Sequence, residues 1–210
     1  MNVRPAGRSA ALLQVAHPAS AAAEVREAAA AAGVTLQEVV PGAETVLVVA
    51  ARAADLTRLL ARLPEVTGSS PMSAGHGPEG AVCLDVRYDG PDLAAVGELT
   101  GLGAEGVVAA HSGARFRGAF GGFAPGFCYL EGLPATLRVP RLPEPRPSVP
   151  AGAVAVADRY SAVYPRSTPG GWRILGHTDT AIWDSRREPP ALLRPGTLVT
   201  FRAVPVTTAP

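Results

Sequence analysis

Apolar and polar residues along the first third of the chain alternate in a way that predicts short strands and helices in turn. Three apolar runs have the length and composition of strands, at residues 9–16, 34–40 and 45–50. An alanine-rich stretch at 19–32 precedes Gly33, a residue type that commonly ends helices, and leucines recur at helical spacing within 53–63. With a further strand at 81–88, this order indicates a ferredoxin-like βαββαβ unit.

The pattern changes after residue 89, where helical periods become short and glycine and proline recur. Two short helices are predicted at 92–99 and 104–112. Short β-prone runs follow, at residues 114–120, 153–156, 161–164, 172–175, 181–183 and 197–204. Six prolines from Pro134 to Pro150 indicate a loop or extended arm and not a paired strand. We therefore predict an α+β protein with a small α/β domain at 1–80 and a mostly β domain, a barrel or sandwich, at 81–210.

Composition removes several classes of function. Hydrophobic residues make up 47% of the chain and charged residues 18%, which is enough apolar surface for a core, and the net charge of +1 favours neither nucleic acid nor an anionic membrane as the main partner. All 19 basic residues are arginine. Without lysine the chain cannot hold a Walker-type phosphate loop, a Schiff-base site, or attached biotin or lipoyl groups.

Cysteine usage and the N-terminus indicate a soluble cytoplasmic protein. Cys83 and Cys128 have neither metal-ligand spacing nor a disulfide framework, so we expect free thiols and no metal site. The N-terminus resembles no signal peptide, and no apolar run has the roughly 18 residues of a membrane span.

Two short motifs match a dinucleotide-binding pattern and a possible His-Ser nucleophile site, but the residues around them do not favour either function. The glycines at 101–106 fit G-x-G-x-x-G, but the motif follows a predicted helix and not a strand, so we interpret it as a turn between two helices. His111 precedes Ser112 without a G-x-S-x-G elbow. On these grounds a helix-end or surface histidine is favoured over a catalyst.

Two longer segments are the informative ones, GGFAPGFCYL at 121–130 and YPRSTPGGWRILGHT at 164–178. Glycines allow a ligand to approach backbone amides, and aromatic rings can form a pocket wall. The residues leave a ligand site and a packed scaffold corner equally open for both segments. We hypothesise that the two segments meet in one recess on a closed barrel.

These segments also carry a resemblance to a known family. FAPGFCYLEGL at 123–133 and STPGGW at 167–172 stand in order with YDGPDL at 88–93, AHS at 110–112 and PPALLRPG at 189–196. Together they resemble the family of B-type subunits of ATP-dependent 5-oxoprolinase, over about residues 81–205. The same family includes allophanate hydrolase subunit 1, half of the urea carboxylase carboxyltransferase domain, and an inhibitor of a sporulation sensor kinase.

The resemblance implies a cyclophilin-like β-barrel that follows the small α/β domain along the chain. It implies a component that is inactive alone and acts with a homologous C-type subunit and a lactamase-like A-type subunit to open 5-oxoproline to glutamate. ATP, with Mg²⁺, would be shared with the partner chain. A sensor histidine kinase inhibitor and half of a urea- or allophanate-type carboxyltransferase, with biotin on another chain, stay open as alternatives.

The resemblance also implies candidate site residues. The catalytic candidates are His111 for proton transfer and Arg117 and Arg141 for electrostatic stabilisation. The substrate-binding candidates lie in the two informative segments: Phe123, Pro125, Gly126, Tyr129, Ser167, Gly170, Gly171, Trp172 and Thr178. The chain departs from the family pattern at Cys128, Glu131 and His177, and Thr197 stands in place of an acid after the PPALLRPG run.

Overall fold

The structure is a computed structural model that describes residues 2–63 and 81–206. The chain divides into two compact units, Met1–His76 and Gly77–Pro210. Both units combine helices with a mainly antiparallel sheet, which confirms the predicted α+β class.

The first unit packs two helices on a four-stranded antiparallel sheet. Its elements are β1 (Asn2–Pro5), β2 (Ala10–Gln14), α1 (Pro18–Ala31), β3 (Leu36–Pro41), β4 (Thr45–Ala50) and α2 (Ala53–Leu60), and the strand order is β1-β2-β4-β3. Every second residue of β4 is buried, as expected when one face of a strand meets the core. Gly33, with φ of +60°, follows the end of α1 in the left-handed conformation that glycine adopts without strain.

The predicted βαββαβ order is wrong in its last strand. The strand predicted at 81–88 belongs to the second unit, where it pairs with a strand near the C-terminus. Within the first unit, β1 forms a hairpin with β2 and takes the edge of the sheet instead. No local signal indicated this strand, because β1 is exposed along its whole length and has no apolar period.

The second unit contains nine strands and two helices among its described residues. Its elements are β5 (Val82–Val86), α3 (Leu93–Thr100), α4 (Gly103–Ser112), β6 (Arg115–Gly121), β7 (Cys128–Glu131), a 3₁₀ turn (Ala135–Leu137), β8 (Arg146–Val149), β9 (Ala153–Ala157), β10 (Tyr160–Val163), β11 (Thr168–Gly170), β12 (Arg173–His177) and β13 (Leu198–Ala203). The glycine-rich motif at 101–106 joins α3 to α4, as predicted.

A seven-stranded sheet curls into a nearly closed barrel in the order β12-β9-β10-β7-β6-β13-β5. The two edge strands meet where Arg87 and His177 exchange two backbone N–H···O bonds of 2.9 Å. Gly90 and Gly176 lie beside this seam, and a Cβ atom at either position would overlap the facing backbone. Glycine at these two positions therefore permits the edges to approach closely enough to bond.

Strand β9 is buried on both faces, which creates two hydrophobic cores. Val154 and Val156 point into the barrel, where they join side chains from α3, α4 and the other strands. The alanines at 153, 155 and 157 point the opposite way, into a second cluster outside the barrel wall. A strand buried on both faces has a continuous apolar sequence, as AVAVA does.

Two predictions for this unit are wrong. The proline-rich stretch contains a short paired strand, β8, which bonds β11 in a two-stranded sheet. The strand predicted at 181–183 is absent, and only Trp183 makes an isolated bridge, to Ala191. In the described ranges no single helix is long and apolar enough to span a membrane; α3 and α4 reach that length and composition only as a pair bent by 94°.

Candidate functional site

The two informative segments meet on the outer wall of the barrel, as hypothesised. The ring of Phe127 lies 5.7 Å from that of Trp172 and 5.3 Å from that of Tyr164, centroid to centroid. Tyr129 connects them, with ring centroids 5.1 Å from Phe127 and 5.5 Å from Trp172. The rings meet edge to face, the favoured geometry for aromatic pairs.

This aromatic cluster fills the space that the sequence suggested as a recess. Phe127, Tyr164 and Trp172 are each at most 4% exposed, and the small alanines of β9 pack beneath them. Trp172 is therefore part of the scaffold, and the open surface lies at the rim of the cluster. There Phe123 is 61% exposed and the Arg141 side chain is 57% exposed.

Phe123 and Arg141 each contact the aromatic cluster from its solvent-exposed side. The Phe123 ring is 5.2 Å from Phe127, and its backbone has φ of +66°, a conformation that is costly for a residue with a Cβ atom. The Arg141 guanidinium lies 5.8 Å from the centre of the Trp172 ring, within cation–π range. Strained backbone of this kind is concentrated at functional sites.

The glycines of the two segments have different surroundings. A Cβ atom on Gly126 would come within 2.8 Å of the Trp183 ring, and one on Gly170 would overlap the Tyr164 hydroxyl. Both glycines are thus required by packing. The amide groups of Gly126 and Gly171 donate to no other described residue, so both are available to a ligand.

The remaining substrate-binding candidates are scattered around the barrel. Pro125 is exposed in the turn that carries Phe123, while Ser167 shares a hydroxyl–hydroxyl bond of 2.8 Å with Ser148 on the β8–β11 arm. Thr178 is 5% exposed and lies just past the seam. Arg117, on β6, pairs across the sheet with Glu131 and Leu198.

His111 stands at the end of a helix, as expected, but it is buried in the barrel interior and does not lie on the surface. It lies in the last turn of α4 with no exposed surface, packed against Phe116 and Phe201. Its Nδ1 is 2.8 Å from the Tyr88 hydroxyl and its Nε2 is 2.9 Å from the Ser161 hydroxyl.

The hydrogen-bond partners of His111 fix its tautomer. Because the Ser161 hydroxyl donates to the carbonyl of Ala155, Nε2–H donates to Ser161 and Nδ1 accepts from Tyr88. Burial lowers the pKa of His111 to about 3, so the ring is neutral at physiological pH. Neither ring nitrogen can reach a substrate, and proton transfer by His111 is not supported.

Charged and polar side chains form a hydrogen-bonded network around His177 at the barrel seam. The Arg87 guanidinium donates to His177 Nε2 at 2.7–3.0 Å and to both carboxylate oxygens of Asp179 at 2.7 and 2.9 Å. Since arginine only donates, His177 Nε2 is an acceptor and Nδ1–H donates to Asp89 at 2.7 Å. Arg87, Thr178 and Asp179 also line a cavity of about 310 Å³.

A second open feature was missed by the sequence reasoning. A cleft of about 510 Å³ lies at the β9–β10 turn, lined by Arg138, Val139, Pro140, Asp158, Arg159 and Tyr160. We call it the arginine cleft. Residues from two distant segments form it. Val139 and Pro140 belong to the proline-rich stretch, and the Asp158-Arg159 pair between two β-prone runs is the local signal of a tight turn.

The two cysteines differ in their surroundings, since Cys83 is exposed and Cys128 is buried. Burial raises the pKa of the Cys128 thiol to about 12, so Cys128 is an inert core residue. Within residues 2–63 and 81–206 no three His, Cys, Asp or Glu side chains are grouped as metal ligands would be.

Comparison with protein families and curated proteins gives consistent matches. Residues 1–193 match the family described as carboxyltransferase domain, subdomain C and D. The chain is 32% identical to the B-type subunit of 5-oxoprolinase from Haemophilus influenzae over 208 residues, which cover 96% of this chain and 97% of that protein. It is 48% identical to the corresponding 5-oxoprolinase protein of Escherichia coli O157:H7 over 112 residues, 53% of this chain and 51% of that protein. That alignment thus spans about half the length of the relative.

Solved structures share the fold. The crystal structure of TTHA0988 superposes with a TM-score of 0.74 at 36% identity, over all of this chain and 41% of the other. This chain therefore spans less than half the length of that protein. The urea carboxylase of Kluyveromyces lactis superposes with a TM-score of 0.73 over 97% of this chain and 22% of that one, and its 17% identity shows likeness of fold alone.

Proposed function

The chain belongs to the carboxyltransferase family of subdomains C and D, and from this premise we propose that it is the B-type subunit of an ATP-dependent 5-oxoprolinase. The reaction opens the lactam of 5-oxoproline to glutamate. The observation that carries the proposal is the end-to-end likeness to the Haemophilus influenzae protein, which extends well beyond the motifs around the aromatic cluster.

The chemistry of a lactam explains why such an enzyme uses ATP. A lactam is a resonance-stabilised amide, so its carbonyl carbon is a poor electrophile. Phosphorylation of the carbonyl oxygen would make it a better one, and the negative charge on the transferring phosphoryl group needs cationic partners. Arginine serves this purpose with a planar fork of donors that matches phosphate geometry.

The exposed groups at the rim of the aromatic cluster fit this role. Arg141 presents a half-exposed guanidinium held against Trp172 and lying 3.8 Å from Asp158, and the amides of Gly126 and Gly171 are donors without a partner among the described residues. ATP supplies the phosphoryl group, and these groups of the chain would orient it and stabilise its charge. Arg117, elsewhere on the barrel, is a second electrostatic candidate.

A separate chain would complete the site. The aromatic cluster presents only its rim to solvent, and Phe123 projects there on a strained backbone without being buried by the chain itself. A homologous C-type subunit, with a barrel of its own, would cover this rim, and a lactamase-like A-type subunit would use the activated product. Tight packing of the cluster supports a shared site at the rim over a closed pocket within this chain.

Reconstitution tests the proposal. The purified chain is expected to form no glutamate from 5-oxoproline and ATP, and to do so once the A-type and C-type subunits are added. Arg141→Gln should then lower kcat/KM by about 10²–10³, the usual effect of removing one charge-stabilising donor. Arg186→Gln is the matched control, since Arg186 is exposed and its ion pair is with Asp184, two residues away.

Other outcomes would point to the alternatives. Inhibition of histidine kinase autophosphorylation, with no turnover of 5-oxoproline in the presence of both partners, would replace the enzyme role with a regulatory one. Carboxyl transfer from a biotinylated carrier protein would identify a carboxyltransferase half. Full activity of Arg141→Gln would remove Arg141 from the mechanism and leave the family assignment intact.

A further inference from the structure

The arginine cleft has the features of a ligand site, because guanidinium groups, an aromatic ring and one acid line it. We propose that it binds the oxyanion of a small molecule, a phosphoryl or carboxylate group, that also carries a hydrogen-bond donor. The proposal goes beyond the reaction proposed above, because the cleft lies within this chain and binding can be measured without turnover.

Positive charge converges on the cleft. Arg138 lines it, and its guanidinium makes no hydrogen bond or ion pair with another described residue. Arg159 lines the cleft from the other segment, with its guanidinium 5.2 Å from the centre of the Tyr160 ring. Arg173 donates to the carbonyl of Pro140, a residue of the cleft wall, at 2.9 Å. Guanidinium groups at such sites pair with phosphate or carboxylate oxygens in a bidentate manner.

The Tyr160 side of the cleft is held in place by the barrel. The Tyr160 hydroxyl accepts from Arg159 Nε at 3.0 Å, and the Tyr160 ring packs 5.6 Å from both Phe120 and Tyr129. The amide of Asp158 donates to the carbonyl of Val139 at 2.8 Å, which joins the two segments. A site with fixed walls loses less entropy when a ligand binds.

One acid stands among these cations and defines the second half of the ligand. Asp158 occupies the β9–β10 turn with φ of +50°, and its carboxylate is 66% exposed, 3.8 Å from Arg141. The carboxylate can accept from an N–H or O–H group of a ligand whose oxyanion lies on Arg138. A ligand with only an oxyanion would instead be repelled by Asp158.

The cavity volume suits a small ligand. About 510 Å³ lies within the range of pockets that hold metabolites, and the cleft combines an aromatic wall with a few polar groups. Lactam carboxylates and nucleoside monophosphates both offer an oxyanion and a donor. The experiment distinguishes these two sources.

Isothermal titration of the full chain, alone and with the C-type subunit, tests the site with three probes: 5-oxoproline, AMP and pyrophosphate. Whichever probe binds, Arg138→Gln is expected to lower its affinity by tenfold or more, while Arg186→Gln leaves the affinity unchanged. Preferential binding of 5-oxoproline identifies a carboxylate ligand, and preferential binding of AMP a phosphoryl one. Absence of binding by any probe in both preparations would overturn the proposal, as would full affinity in Arg138→Gln.

A second variant tests the role of the acid. Asparagine tolerates positive φ, so Asp158→Asn should keep the turn. This variant is expected to bind AMP or 5-oxoproline about tenfold more weakly. Its affinity for pyrophosphate should be unchanged or higher. If AMP or 5-oxoproline bound Asp158→Asn as tightly as the unmodified chain, the role of Asp158 as acceptor for the ligand's donor group would be refuted. Oxyanion binding without any 5-oxoprolinase activity in the reconstituted complex would uphold the cleft and reject only the reaction proposed above.

Discussion

Single residues in the two glycine-aromatic segments were proposed as points of ligand approach, and the structure assigns several of them to packing. Gly126 fits beneath Trp183 and Gly170 fits beneath the Tyr164 hydroxyl, so the absence of a Cβ atom is needed at each even without a ligand. Gly171 differs, because its nearest neighbours are 3.6 Å or more from the Cβ position. Packing therefore explains why glycine is needed at position 170 but does not explain the glycine at position 171.

A pair of alanine substitutions separates these reasons. Gly170→Ala should lower the free energy of unfolding by about 1–3 kcal/mol, because the new methyl group displaces Tyr164 from the aromatic cluster. Gly171→Ala should change it by less than about 0.5 kcal/mol. Urea unfolding followed by tryptophan fluorescence measures both, since the two tryptophans lie in the second unit. Equal stability of the two variants would show that Gly170 is not fixed by packing.

Elements of the second unit are joined by a buried polar connection at the start of α3. Asp92 was expected near the N-terminus of this helix, and it stands at the cap position without a side-chain cap bond. Its carboxylate instead accepts from the amide of Ile174 and from Arg146, both at 2.7 Å. One side chain thus ties the helix to β12 and to β8 on the proline-rich arm.

Loss of this connection should be costly. Asp92→Asn places an NH₂ group or a weaker acceptor against Arg146, and we expect about 3 kcal/mol less stability, as for breaking other buried ion pairs. Asp85→Asn is the control, because Asp85 forms a similar two-bonded pair with Arg202 on the surface. Exposed pairs contribute about 1 kcal/mol or less. Urea midpoints of both variants give the comparison, and a loss for Asp85→Asn as large as for Asp92→Asn would contradict it.

The whole second unit is closed around a neutral histidine. The hydrogen-bonded chain from Tyr88 through His111 to Ser161 crosses the interior of the barrel. Because burial places the pKa of His111 at about 3, against 6.5 for an ordinary histidine, the unfolded chain binds a proton between these values that the folded chain does not. Stability must therefore rise with pH across this window.

Acid unfolding measures this effect. Below pH 6.5 the free energy of unfolding should fall by up to about 1.4 kcal/mol per pH unit on account of this one group. His111→Gln removes the titration, so the difference between the unmodified chain and this variant should shrink as the pH is lowered through this window. His17→Gln, at an exposed histidine of the first unit, is the control. A difference that stays constant with pH would rule out the buried neutral imidazole.

The sequence by itself determined the α+β class, most elements of both units, and the motifs whose order matches the family. These follow from local causes: strand and helix periods, a glycine after α1, and the continuous apolar run of β9. It also excluded lysine-dependent chemistry, since composition needs no fold.

Only the tertiary structure decided which of these residues meet and which are exposed. It paired β5 with β13, closed the barrel through Arg87 and His177, and buried His111. It filled the expected recess with aromatic rings and opened a cleft at Arg138 and Asp158 instead. Burial and contact between distant segments depend on how strands are paired, and no local period encodes that pairing.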